Sequence, residues 1–179
     1  MFEKLLDLLA QIWDRVSPLE IIKEYEGAVV LRFGRYNRTL EAGLHFKIPL
    51  VEEAISTPTC LTTLRLPPQT LTTRDDAPVV VSAIVKYEVR DVKSYLLRIW
   101  DRNDVLADVA TGAIRTAISA LTYAELVTQP PEQAVLEAVR KEVNQFGFKI
   151  HRVTFVDLGR VRSIRLIQPL NSTPPQPTT

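Results

Sequence analysis

Cysteine is nearly missing from this 179-residue chain. Cys60 stands alone, so no internal disulfide can form, and the only imidazoles, His45 and His151, do not make up a zinc-type Cys/His set. A reducing compartment suits such a chain. An excess of charge of either sign is missing as well: 22 Lys+Arg stand against 21 Asp+Glu, a formal net charge of +1, which leaves no basic footprint for nucleic acid. Long apolar runs are also lacking. The N-terminal apolar residues are interrupted by Glu3, Lys4, Asp7, Asp14 and Arg15, whereas a bilayer-spanning helix needs about 20 apolar residues in succession and a secretory leader an unbroken apolar stretch. The sequence therefore predicts no spanning segment and no leader, and it contains no internal repeat. What is present is a chain that is 46% hydrophobic, enough for the core of one compact domain.

On a helical wheel at about 100° per residue, Met1 to Val16 gathers Met1, Phe2, Leu5, Leu6, Leu8, Leu9, Ile12, Trp13 and Val16 on one side, with every charged residue opposite. Ser17-Pro18 stops that helix, because proline cannot extend it and disfavours helical geometry in the residue before it. The expectation for residues 1–17 is an amphipathic helix. Either it lies in a membrane interface with Phe2 and Trp13 inserted, or it docks on the domain's own core or on a neighbouring subunit. Three acids against two bases is not the basic polar face that anionic lipids favour.

After Pro18 a β-rich half precedes a helical half. Leu19 to Tyr25 and Ala28 to Phe33 flank Glu26-Gly27, read as a hairpin turn, and Gly34 ends the second strand. Leu44 to Ile48 is a short extended run between Gly43 and Pro49. Val51 to Thr57 and Leu61 to Leu66 are strand candidates bounded by Pro58 and by Pro67-Pro68. The longest strand, Pro78 to Val89, puts Val79, Val81, Ala83, Val85 and Tyr87 on one face and pairs with Gln69 to Thr73 across Arg74-Asp75-Asp76-Ala77. Helices are expected from Asp91 to Trp100, from Asp104 to Leu121 with Asn103 as cap, and from Pro130-Pro131 to Phe146, with Gly147 in the stop position. The final strand follows at once. The fold class is α+β, a mostly antiparallel sheet with helices covering one face. From 169 onward a polar, proline-rich tail predicts disorder.

Three stretches share a pattern. They are Arg32-Phe33-Gly34-Arg35-Tyr36 with Arg38-Thr39-Leu40-Glu41-Ala42-Gly43-Leu44-His45-Phe46-Lys47-Ile48-Pro49; Leu71-Thr72-Thr73-Arg74-Asp75-Asp76 leading into Pro78–Val89 and Arg90-Asp91; and Phe146-Gly147-Phe148-Lys149-Ile150 with Val153–Leu158. Together they resemble the stomatin/prohibitin/flotillin (SPFH, band 7) superfamily over about Glu20 to Leu158. Ala42 stands where that family usually has proline, and the long charged helix that follows the last strand in relatives is not expected here. The resemblance implies an SPFH-like domain over 19–168, side-by-side self-association into a homo-oligomer, and work as a scaffold on or near a membrane. The expected partners are a lipid surface, met peripherally from the cytoplasm, and a membrane-protein client. The alternatives are a soluble shell or capping protein of the same fold, or a regulator of a full-length relative's assembly.

Chemistry finds little footing. No motif sets a serine or Cys60 beside either histidine, each of which reads as a half-buried strand residue. Asp75-Asp76 before Ala77-Pro78 is a tight-turn composition with too few oxygen donors for a divalent cation. No catalytic residue, cofactor or metal is expected. Cys60 reads as a buried or half-buried strand thiol, with reversible acylation as the sharper alternative. Arg152, Arg160, Arg162 and Arg165 suit either a phosphate or headgroup patch or ion pairs with a neighbouring subunit. The signature turns at Gly34, Gly43 and Pro49 are expected to act by fixing backbone shape.

Overall fold

The computed structural model describes residues 18–160. The expected N-terminal helix, with Phe2, Leu5, Leu6, Leu9, Ile12, Trp13 and Val16, lies outside the described residues, as do the expected tail and Arg162 and Arg165. Within them the order is β1 (Leu19–Ile22), β2 (Glu26–Arg32), β3 (Arg35–Leu40), β4 (Gly43–Phe46), β5 (Glu52–Pro58), β6 (Thr62–Thr72), β7 (Pro78–Val89), α1 (Val92–Leu97), α2 (Arg102–Ser119), α3 (Tyr123–Thr128), α4 (Glu132–Val143) and β8 (Phe148–Arg160). The strands form three antiparallel groups, β1-β4, β3-β2-β5 and β6-β7-β8, so the α+β class holds with the sheet divided.

The larger core belongs to the last group. The expected apolar face of β7, Val79, Val81, Ala83, Val85 and Tyr87, is buried against Phe148, Ile150 and Val153 of β8 and against Leu106, Ala110, Ile114 and Ile118 of α2 and Val135, Val139 and Val143 of α4. A smaller core, Ile22, Ala28, Val30 and Leu40, holds the N-terminal strands together. The halves meet where α1 lies on β2: a Cβ at Gly27 would stand 2.6 Å from Val92 Cγ2, so glycine is what permits that approach. Lys93 of α1 also sits over the ring of Tyr36 in β3, 4.1 Å from its centre.

Several expectations are corrected. The turn after β1 runs from Lys23 to Glu26, closed by Glu26 N–H donating to the Lys23 carbonyl at 2.9 Å, and Glu26-Gly27 already belongs to β2. β1 pairs with β4, not with β2. Strand β3 is absent from the sequence reading because Arg35 to Thr39 is polar and at most half-buried at a sheet edge, with no apolar alternation to announce it. Pro67-Pro68 does not end a strand: β6 runs through it, the prolines sitting in a register shift between Leu66 and Gln69 where no ladder donor is needed. Asp101, not Asn103, caps α2, its side chain accepting from Asp104 N–H; Asn103 Oδ1 instead receives the Tyr87 hydroxyl at 3.3 Å. Short α3 begins with a Thr122/Glu125 capping box that the sequence reading passed over. Trp100 is not part of a helix face, since α1 stops at Leu97 and the indole is 96% exposed. Cys60 lies exposed in the bend between β5 and β6, not in a strand.

Candidate functional site

In the β1/β4 ribbon Leu19 faces Phe46 and Ile21 faces Leu44, while Glu20 faces His45 and Ile22 faces Gly43. Because strand side chains alternate, one face carries Leu19, Ile21, Leu44 and Phe46 together. All four are 52–72% exposed, whereas Ile22, from the other face, is buried in the smaller core. The ribbon is held by Lys47 N–H donating to the Pro18 carbonyl at 2.7 Å and by an ion pair between Lys47 and Glu20. His45 is half-buried, its Nε2 2.7 Å from the Glu41 carbonyl oxygen, and so braces the turn into β4.

Two tips lie beyond the ribbon. Phe33 and Gly34 form a two-residue hairpin loop between β2 and β3 with positive φ at both positions, 50° and 74°, the sign pattern of a type I′ turn. Pro49 occupies the second position of the Ile48–Val51 turn, closed by Val51 N–H to the Ile48 carbonyl at 3.3 Å, and Leu50 follows it with φ 64° where a type II turn prefers glycine. Phe33 N–H donates to the Val51 carbonyl at 3.1 Å, which ties the tips together. Phe33 and Leu50 are 80% and 86% exposed. Large apolar residues in left-handed conformations are uncommon, and here two of them are exposed at adjacent tips. Gly43, with φ 135° at the start of β4, completes the set of expected signature positions.

A carboxylate that the sequence reading missed holds these tips in place. Glu52, the first residue of β5, is buried; its Oε1 and Oε2 each accept from Arg38 at 3.1 Å, Oε1 also accepts from Asn37 Nδ2 at 3.0 Å, and Oε2 accepts from Ile48 N–H at 3.1 Å. Arg32 Nε stands 3.5 Å from Oε1, and Arg38 Nη2 also donates to the Phe46 carbonyl at 2.8 Å. One buried anion thus joins β2, β3, β5 and the end of β4. The Arg38 hydrogen bonds, then the Ile48 N–H, hold the Glu52 carboxyl below its ordinary value of 4.5. A group whose pKa is depressed by folding contributes stability that is complete above its unfolded value and is lost as pH falls through the folded one. The tip region should therefore loosen below about pH 4.5, and Glu52→Gln should abolish that part of the acid transition; hydrogen exchange of the Ile48 and Phe33 amides as a function of pH reads it.

The remaining candidates separate. Asp75 is a structural turn residue: its Oδ1 accepts from the Thr73 hydroxyl at 2.6 Å and from Tyr123 N–H at 3.0 Å, fastening the β6–β7 turn to the start of α3. No three His, Cys, Asp or Glu side chains come together in a metal-holding group among the described residues. His151 is exposed, not half-buried, with Nε2 2.8 Å from Glu88 Oε2. Arg152 faces Lys86 across β7/β8, whereas Arg160 lies over the Tyr123 ring, so the expected arginine patch is not assembled from these two. No helix among the described residues is long and apolar enough to cross a membrane.

An antiparallel α+β domain with this signature region is an SPFH-type domain, and the comparisons agree: residues 20–166 match the model of the SPFH domain / Band 7 family, so the chain belongs to that family. It is similar to an uncharacterized protein of Methanocaldococcus jannaschii, 26% identical over 152 residues covering 84% of this chain and 76% of that one. It is also similar to a stomatin homolog of Pyrococcus horikoshii, 26% identical over 144 residues (79% and 54%), and to human stomatin-like protein 3, 26% identical over 144 residues (78% and 50%). The chain thus spans half to three quarters of the length of these relatives. Members of the family are membrane-associated scaffolds, generally without enzymatic activity.

Proposed function

We propose that this chain is a non-enzymatic peripheral scaffold that lies on the cytoplasmic face of a membrane and associates with copies of itself. The observation that carries the reading is the exposed apolar surface of Leu19, Ile21, Leu44 and Phe46, continued by Leu50 and Phe33 at the tips. Lipid is the occupant this surface suits. Its outermost members stand on turns, as wedges that enter an interface do, and Arg35 flanks the Phe33 tip where it would meet headgroup phosphates. Full burial of a Leu or Phe side chain is worth about 1.5–3 kcal/mol, so even partial insertion of several gives useful affinity.

Residues 1–17 join the domain through Pro18, whose carbonyl is bonded within the ribbon. In this reading the apolar side chains Phe2, Leu5, Leu6, Leu9, Ile12, Trp13 and Val16, which precede Pro18 in the sequence, add to the membrane contact. Deleting residues 1–17 should leave the melting temperature within a few degrees while weakening binding to vesicles at least about tenfold. A large fall in melting temperature would mean that the segment packs on the domain core.

Trp100 supports the self-association half of the reading. A tryptophan exposed this fully, with partly exposed Leu97 close by in sequence, is the composition of a protein–protein hot spot. Trp100→Ser should lower the mean mass seen by light scattering without lowering stability; an unchanged assembly would remove Trp100 from the interface, and a wild type that stays monomeric at micromolar concentration with and without lipid would contradict self-association.

A further inference from the structure

Where the last turn of α4 meets the first residues of β8 there is a cleft that the scaffold reading does not use. At the start of β8 and the end of α4, this cleft of about 510 Å3 is lined by Arg90, Arg140, Lys141, Asn144, Lys149 and His151, together with the apolar Phe148 and Ile150. These residues come from three separate elements. Arg90 follows β7, Arg140 and Lys141 close α4 with Asn144 just after it, and Lys149 and His151 stand on β8.

A bulge shapes the cleft. Tyr87 pairs with Ile150 and Lys86 with Arg152, so His151 is the unpaired extra residue of β8. Arg140 fixes the strand edge there: its Nε donates to the Ile150 carbonyl at 2.8 Å and its Nη2 to the His151 carbonyl at 3.3 Å, which leaves Nη1 without an acceptor. Arg90 and Lys141 make no side-chain hydrogen bond or ion pair among the described residues. Among the described residues Glu88 is the carboxylate engaged by the cleft's side chains, accepting from Lys149 and facing His151. It cannot balance the whole set.

The strand pair beside the cleft is itself basic. One step along the ladder Lys86 and Arg152 stand directly opposite each other, with no acid bonded to either among the described residues. Like charges in that relation disfavour the sheet and add to the positive potential beside the cleft.

We propose that this cleft binds a phosphate-bearing anion, with Arg90 and Lys141 as the principal contacts, the outer nitrogen of Arg140 as a further cationic donor and the Asn144 amide as a neutral hydrogen-bond donor. A phosphate dianion matches several convergent N–H donors, and forked guanidinium contacts are among the strongest it can receive. The phosphate is either that of a lipid headgroup or that of a soluble phosphate ester. The site shares no residue with the apolar ribbon, so the two stand or fall separately.

The test uses the full chain and two probes, inorganic phosphate followed by NMR at the His151 ring, and vesicles of phosphatidylcholine with and without phosphatidic acid. Saturable shifts with inorganic phosphate indicate a soluble ligand; a tenfold or greater preference for phosphatidic acid vesicles indicates a headgroup. In either case Arg90→Glu/Lys141→Glu should remove the response and leave binding to pure phosphatidylcholine unchanged. The exposed pair Arg65→Glu/Arg115→Glu, an equal charge reversal outside the cleft, should keep it. No response to either probe overturns the proposal, and so does an equal loss in both double variants, since that would mean diffuse attraction and not a site.

Discussion

Gly147→Ala is expected to destabilise the domain by about 2–4 kcal/mol, lowering the melting temperature by roughly 5–15 °C. Gly147 follows α4 and its short 3-10 extension with φ 85°, where an L side chain costs on the order of 1 kcal/mol. Space is the greater obstacle. A Cβ there would stand 2.3 Å from the Asp91 carbonyl oxygen and 3.1 Å from Tyr95 N, both backbone atoms of the first turn of α1 and neither able to swing aside. That contact is also a seam of hydrogen bonds, since Gly147 O accepts from Arg90 N–H at 2.9 Å and from Asp91 N–H at 3.2 Å. Pushing the backbones apart would break these and disturb the Asp91 cap, whose carboxylate receives Lys93 and Ser94 N–H. Thermal unfolding of the single variant checks it; a melting temperature within 2 °C of wild type, about 1 kcal/mol or less, would show that the junction can relax.

Replacing Leu44 and Phe46 together by glutamate should reduce vesicle affinity a hundredfold or more without measurable loss of stability. Both side chains are already mostly in water, so the folded state loses little apolar burial. The membrane-bound state loses two inserted groups and gains two charges that must be kept out of the interface, a difference of about 3 kcal/mol or more. Ile22 on the ribbon's other face gives the contrast: Ile22→Glu would place a charge in the smaller core and unfold it, so a variant that melts early is not informative about lipid. Binding titrations with phosphatidylcholine vesicles, read beside thermal melts, distinguish the outcomes. Unchanged affinity in the stable double variant would move the contact off the ribbon.

Much of the fold was legible because its larger core is built from residues whose spacing is visible in the chain. The apolar period of β7 and the stripes on α2 and α4 announce their burial, and the stop at Gly147 is written in its residue type. What escaped depends on partners distant in sequence. The face of Leu19-Glu20-Ile21-Ile22 that ends up in water is decided by its pairing with β4, more than twenty residues away, and no local turn signal announces that pairing. Glu52 reads in isolation as an acid in an ordinary strand; its importance comes from Arg38, fourteen residues earlier, on a strand too polar to be recognised. The signature around Gly34, Gly43 and Pro49 was visible, but not that Phe33 and Leu50 beside it would take left-handed conformations and point outward.

Flotation of the unmodified full chain with phosphatidylcholine vesicles in a density gradient, at physiological salt, tests the central claim most directly. The account predicts that the protein rises with the vesicles and that the Leu44→Glu/Phe46→Glu variant, equally folded, stays at the bottom. A wild-type chain that remains at the bottom while folded, or two proteins that rise to the same extent, would contradict a scaffold held on the membrane by its apolar ribbon.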